Sequence, residues 1–324
     1  TVLLSILKKM TCRIKMWGNF LIKNRMNYYS CGKLLITAEY LILKGAKGLA
    51  IPTKYGQKMS VAKNTEKHIV WEAYSFDNEK WIDCKFDLNF KLIKSKNTKT
   101  EYTHSLSKLL KKINEFSPGF AGQGLKVSTN LEFHRNWGLG SSSTLINNIS
   151  NWLNIDPYKL LKMTYKGSGY DIAVAKTKKS IFFEKKDEFN NIMQTNFSPP
   201  FKENLFFIHL NKKVNTQTEV TKFLNHKNEL NNEILKINSL GDMIVKEKSQ
   251  KKFNEMIEEH EEIISNIIYK KPIQKVLFTD FNGQIKSLGS WGGDFILASG
   301  DNETPKYFSK KGYDTIIPFS EMKL

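Results

Sequence analysis

The feature that most constrains this chain lies between residues 124 and 153, where the hydrophobic period changes. In "GLKVSTNLEFH" the residues Leu125, Val127, Thr129, Leu131 and Phe133 alternate strictly, the pattern of a half-buried strand. "NWGLGSSSTLI", residues 136–146, follows, and its small residues run into a helical pattern in which Leu145, Ile146, Ile149, Trp152 and Leu153 share one face. A strand, a Gly/Ser turn and an amphipathic helix in that order place unpaired backbone N–H groups at a helix start. The helix dipole adds roughly half a positive charge there. Glycine allows backbone conformations closed to other residues, and the hydroxyls of Ser141, Ser142 and Ser143 suit phosphate or Mg²⁺. Taken alone, the stretch reads equally as a helix cap or as an anion cradle. It is not a Walker A loop, because GxxxxGK[ST] occurs nowhere in the sequence.

The remaining chain alternates in the same manner. "HIVWEAYSF" and "WIDCKFDLNF" read as two strands joined at "DNEK", and residues 97–116 as a loop and then a helix that stops before Pro118. "IDPYKLLKMTY" is a short helix with Asp156 as N-cap and Pro157 at its first position. "KSIFFEK" and "NLFFIHL" are strands, and "NFSPPFKENL", residues 196–205, is the best linker candidate. Residues 216–268 are mostly helical, with a stripe of Phe253, Met256, Ile257, His260, Ile263, Ile264, Ile267 and Ile268 that reads as core.

At 324 residues the chain is long enough for two domains. Its net charge of +18 invites a nucleic-acid reading, but no recognition module accompanies it. The lysines are spread along the whole chain. Residues 1–25 carry six basic residues and no acid, and leave +12 for the remainder. Those 25 residues show no amphipathic period and no secretory cleavage pattern, so they read as an upstream extension, with a natural start at Met26. Cys12, Cys31 and Cys84 form no disulfide framework or metal spacing, and a reducing cytoplasm is the expected setting. No run approaches the ~18 apolar residues of a membrane span.

Three further stretches carry possible chemistry. "GSGYDIAVA", residues 167–175, places Asp171 among uncharged neighbours, where it reads as a base for a substrate hydroxyl or as a helix cap. "GKLLITAEY" holds Lys33 at a strand start, a residue able to steer a phosphate or simply to be solvated. "KSLGSWGGDF", residues 286–295, is a second glycine-rich turn that suits close approach to a ligand or a tight hairpin.

In combination these stretches resemble the GHMP kinases, the family of galactokinase, homoserine kinase, mevalonate kinase and phosphomevalonate kinase. "GKLLITAEYLIL", "WGLGSSSTL" and "SLGSWGGDF" correspond in order to that family's three motifs, and the resemblance covers residues 27–324. "GSGYDIAVA" is similar to the subgroup named for its GYDIA motif, close to the mevalonate-pathway kinases. The resemblance implies an α+β fold of two lobes, an N-terminal α/β lobe of ribosomal-S5-like type (residues 26–195) and a C-terminal ferredoxin-like lobe (residues 196–324). It implies that Gly138, Leu139, Gly140, Ser141, Ser142 and Ser143 wrap the phosphates of ATP, and that Ser142 ligates Mg²⁺. Asp171 would be the catalytic aspartate and Lys33 its partner. Gly289, Ser290, Gly292 and Gly293 would close over the phosphate and substrate side.

The sequence departs from the family in one informative place. Many mevalonate kinases carry a glutamate Mg²⁺ ligand about eleven residues before the catalytic aspartate, whereas here no acid occurs between Asp156 and Asp171. That leans toward phosphomevalonate kinase. Position 31 is Cys where the family often has Pro. The expected activity is transfer of the ATP γ-phosphate to mevalonate or phosphomevalonate. The alternatives are a sugar or homoserine kinase and a non-catalytic ligand binder of the same fold. The expected partner is a small anionic substrate, with no nucleic acid or membrane, in a monomer or homodimer.

Overall fold

The computed structural model describes residues 25–96, 98–122, 124–164, 167–186, 189–212, 216–225, 229–289, 291 and 293–324. Residues 1–24 of the expected extension, and Ser290 and Gly292 of the third motif, lie outside the described residues. The fold is α+β, as the resemblance implies, and contacts divide it into two compact units.

Among the described residues, the first unit comprises Arg25–Tyr28, Met59–Tyr74 and Glu79–Thr129. Strands β3 (Ile69–Tyr74) and β4 (Lys80–Phe86) pair antiparallel, with Trp71 opposite Cys84 and Ala73 opposite Ile82 on the buried face. This is the expected hairpin across "DNEK". β5 (Leu92–Ser95) extends it, and helix α1 (Thr100–Phe116) buries Leu106, Leu109, Leu110 and Ile113 at helical spacing. The strand order is β5–β4–β3–β6–β2, where β6 is Leu125–Leu131 and β2 is the long strand Gly48–Lys63. Alternate residues Leu125, Val127, Thr129 and Leu131 of β6 are buried, matching the period-two reading.

The second unit comprises Tyr29–Lys58, Ser75–Asn78 and Asn130–Leu324. Here β2 pairs with β1 (Met26–Leu35) and with β7 (Ile181–Glu184), and β7 pairs with β8 (Asn191–Gln194). Helices α2 (Ser141–Leu153), α3 (Pro157–Thr164) and α4 (Tyr170–Thr177) follow one another. Asp156 caps α3 as expected, accepting the Tyr158 N–H at 2.9 Å. A second, antiparallel sheet has the order β10–β11–β9–β12, where β9 is Leu205–His209, β10 Gln284–Ser287, β11 Phe295–Ser299 and β12 Ile316–Pro318. The described helices of this half are α5 (Thr216–Leu224), α6 (Asn231–Lys246), α7 (Gln250–Ile268), α8 (Ile273–Leu277), α9 (Thr304–Lys310) and α10 (Phe319–Met322).

The stripe of α7 is core: Phe253, Ile257, His260, Ile264 and Ile267 are buried, and Met256, Ile263 and Ile268 pack against them. Residues 196–205 are held by packing, because Phe197 is wholly buried against Phe253 and Phe319. One expectation is corrected. Lys33 stands near the end of β1 rather than at a strand start, because Met26–Ser30 already pair as strand. The apolar run after it turns instead into a 3-10 helix at Leu41–Lys44 that ends on Gly45.

Candidate functional site

All described residues of the candidate site lie in the second unit. α2 starts from Gly140 at φ 92°, and Gly138 stands at φ 65°, two left-handed positions that glycine adopts without steric penalty. Between them Leu139 is wholly buried. The loop is thus pinned by one side chain and turned sharply on either side of it, ahead of a helix whose first N–H groups have no intrahelical partner. Ser142 is exposed at this helix start and Ser141 half-buried. Ser143 is buried, and its hydroxyl donates to the Gly140 carbonyl at 2.9 Å, bracing the turn from within. Thr144 Oγ1 donates to Gln57 Oε1 at 2.9 Å.

β1 delivers Lys33 to this loop. Its backbone N–H donates to the Leu139 carbonyl at 3.0 Å, and its Nζ donates to the Gly138 carbonyl at 2.8 Å. The ammonium lies 5.5 Å from the Tyr170 ring centroid. Burial works to lower its pKa, but Tyr170, Asp171 and Asp294 outweigh burial, and the group is held above its ordinary value. Lys33 is therefore a fixed positive charge at neutral pH. Burial, aided by the Asp171 charge, raises the Tyr170 pKa against the pull of Lys33, so that phenol stays neutral.

Asp171 sits in the first turn of α4, after Gly169 at the N-cap. Its Oδ1 accepts the N–H of Ile172 at 2.9 Å. It is half-buried, and its negative charge falls on Lys33. The two sequence motifs that hold Lys33 and Asp171 are thus brought together at the phosphate-type loop.

The third glycine-rich stretch is the turn of the β10–β11 hairpin, whose last pair is Ser287 and Ile296. Gly289 is exposed at φ 60°, Gly293 is buried, and Trp291 and Asp294 both adopt left-handed backbone, at φ 54° and 57°. Nothing in the local sequence marks Asp294, yet its carboxylate lies directly against Gly138. A Cβ placed there would stand 2.7 Å from both Cγ and Oδ2. The same Oδ2 would be 3.6 Å from a Cβ at Gly289.

A metal at this site would find few protein ligands. Among the described residues there is no group of three or more His, Cys, Asp or Glu side chains able to hold one. Mg²⁺ binds through one or two protein oxygens while keeping waters and substrate phosphates. The exposed hydroxyl of Ser142 at a helix start fits that mode.

A second cluster was also missed, and it is buried. Lys286, the third residue of β10, is 0% exposed and donates to Glu39 Oε1 at 2.6 Å, Glu261 Oε1 at 3.0 Å and the Ser287 carbonyl at 2.7 Å. Ser287 Oγ donates to Glu261 Oε2 at 2.7 Å. His260 Nε2 accepts the Ala38 N–H at 3.0 Å, and burial holds this imidazole neutral by lowering its pKa. Glu39 is pushed up to about 7 by burial, against the pull of Lys286. The cluster joins the first motif, through Glu39, to the strand that leads into the third.

No protein-family model matches the chain, and no curated protein matches it. Solved structures do. The mevalonate kinase of Methanococcus jannaschii superposes with a TM-score of 0.65 at 17% identity, over 91% of this chain and 97% of that one. The Streptococcus pneumoniae phosphomevalonate kinase in complex with phosphomevalonate and AMPPNP gives 0.64 at 17% identity, over 88% and 95%. The galactokinase of Lactococcus lactis, complexed with galactose, gives 0.62 at 14% identity, over 100% and 98%. Structures that share this architecture across almost their whole length, with different named substrates, define it: the chain has the GHMP kinase fold.

Proposed function

We propose that the protein is an ATP-dependent small-molecule kinase that transfers the γ-phosphate of ATP to mevalonate or phosphomevalonate. The observation that carries the reading is the bond from Lys33 Nζ to the Gly138 carbonyl, made within the field of Asp171 at the start of α2. Phosphoryl transfer needs charge neutralisation and in-line positioning more than covalent chemistry. The N–H groups that open α2 receive the phosphates. Lys33 offsets the negative charge carried by the transferred group. Asp171 orients the acceptor hydroxyl and takes its proton. Ser142 would hold Mg²⁺, which when bound would supply further charge neutralisation. Gly289 and Gly293 would belong to the turn that closes the acceptor side, the stretch in which the resemblance also places Ser290 and Gly292.

The absence of an acid between Asp156 and Asp171 favours phosphomevalonate as acceptor, while the mevalonate and phosphomevalonate kinase likenesses, at TM-scores of 0.65 and 0.64, do not separate the two. ADP release measured in parallel with mevalonate, phosphomevalonate, galactose and homoserine tests the reading. Turnover is expected with one of the first two. Turnover with galactose or homoserine alone moves the assignment to those substrates, and none with any of the four overturns it.

A further inference from the structure

A carboxylate in contact with a phosphate-binding loop is electrostatically unfavourable unless a fixed cation answers it. Asp294 is such a group, and its backbone is one that Asn or Gly would adopt with equal or greater ease. Its carboxylate packs on the Cα of Gly138, and the carbonyl of that same residue accepts the Lys33 ammonium at 2.8 Å. Gly138 therefore meets both groups, Asp294 at its Cα and Lys33 at its carbonyl. We propose that Asp294 is a positioning residue for phosphoryl transfer, which keeps Lys33 on the phosphate loop and ties that loop to the third glycine-rich turn. The proposal rests on the kinase reading above.

The chemical consequence concerns Asp171. Lys33 is faced by Tyr170 and Asp171 from α4 and by Asp294 from the head of β11. With one carboxylate alone, the ammonium would collapse onto it as a contact pair and occupy the oxygens that an acceptor hydroxyl needs. With two carboxylates acting from different elements, Lys33 stays on the Gly138 carbonyl and leaves Asp171 available. The glycine at 138 is required for the same reason, because any Cβ would collide with the Asp294 carboxylate.

The test uses Asp294→Asn, which keeps shape and tolerates the left-handed backbone, and Asp294→Ser, which removes the charge with a smaller side chain. The Lys33 ammonium is titrated by NMR after ¹³C-methylation of the lysines, with Lys33→Arg assigning the signal. Both variants are expected to move that titration down by about half a pH unit or more. Both are expected to lower kcat about tenfold while the KM for ATP changes less than about threefold. An unmoved Lys33 titration overturns the proposal, whatever happens to turnover. So does a kcat equal to that of the parent. A parent protein that turns over no acceptor sinks the kinase reading instead, and the titration still decides whether Asp294 holds Lys33.

Discussion

Two lysines of the second unit each face two carboxylates, and they are built for opposite ends. Lys286 is sealed: two glutamates and a carbonyl take its donors at 2.6–3.0 Å, and nothing around it is open to solvent. Lys33 is half-buried and bonds a carbonyl of a glycine turn, while Asp171 and Asp294 act on it through space. Both are held charged against burial. The difference teaches where bonding capacity is kept in reserve. Lys286 has spent its donors on Glu39, Glu261 and the Ser287 carbonyl, while Glu39 Oε2 and His260 Nδ1 are buried without a hydrogen-bond partner among the described residues, so the group serves to stabilise or position. The Lys33 group is half-buried, and Asp171 bonds the Ile172 N–H through Oδ1, which leaves its Oδ2 for a ligand.

The largest expected effect separates the two directly. Asp171→Asn should lower turnover by about 10²- to 10⁴-fold while ATP affinity and the melting temperature stay close to the parent's. Steady-state kinetics with equilibrium nucleotide binding measures both, and unchanged turnover would reduce Asp171 to a brace for α4. The next effect is on the other lysine. Lys286→Met leaves Glu39 and Glu261 buried without their cation, and should cost about 3–5 kcal/mol in urea unfolding. Lys33→Met should cost less in unfolding than Lys286→Met and yet lose turnover. If the two variants behave alike in both assays, the contrast fails.

A smaller effect follows from pH. Glu39 holds its proton up to about 7 in the folded protein, against 4.5 ordinarily, with Lys286, Glu261 and His260 as its charged and titratable neighbours. Its contribution to stability is full below its unfolded value and is lost as pH rises through about 7. Urea midpoints of the parent should therefore decline from pH ~5 to ~8 more steeply than those of Glu39→Gln. Parallel slopes would show that Glu39 is already ionised at the lower pH. The smallest effect is at Ser287→Ala, which leaves one Glu261 oxygen without its donor and should cost about 1–3 kcal/mol with kcat little changed.

The sequence was most legible where information is local. The period of two in Leu125–Leu131 and the period of 3.6 in α2 and α7 identified those elements, because solvent exposure repeats with backbone geometry. The Gly-Ser turn before α2 was readable for the same reason. The positions of Lys33 along β1 and of the 3-10 helix after it were not, since an apolar run such as "LLITAEYLIL" carries no period that marks where pairing stops. Asp294 and the Lys286 cluster were illegible because their meaning is relational. Glu39 and Lys286 are 247 residues apart, and Asp294 acquires its role only against Gly138. A weak local signal did exist: Lys286 sits between Ile285 and Ser287 in a strand whose residues are almost all buried.

The sealed cluster also bears on how this chain can change over time. Removing any one of Glu39, Lys286 or Glu261 strands its partners, so each single replacement is a downhill step in stability. Exchange of the whole group for well-packed apolar residues is close to neutral. Lineages can therefore drift freely at exposed positions such as Phe189 and Leu235, yet must cross a valley to alter the trio. Among descendants the three positions should be inherited as a set, or lost as one.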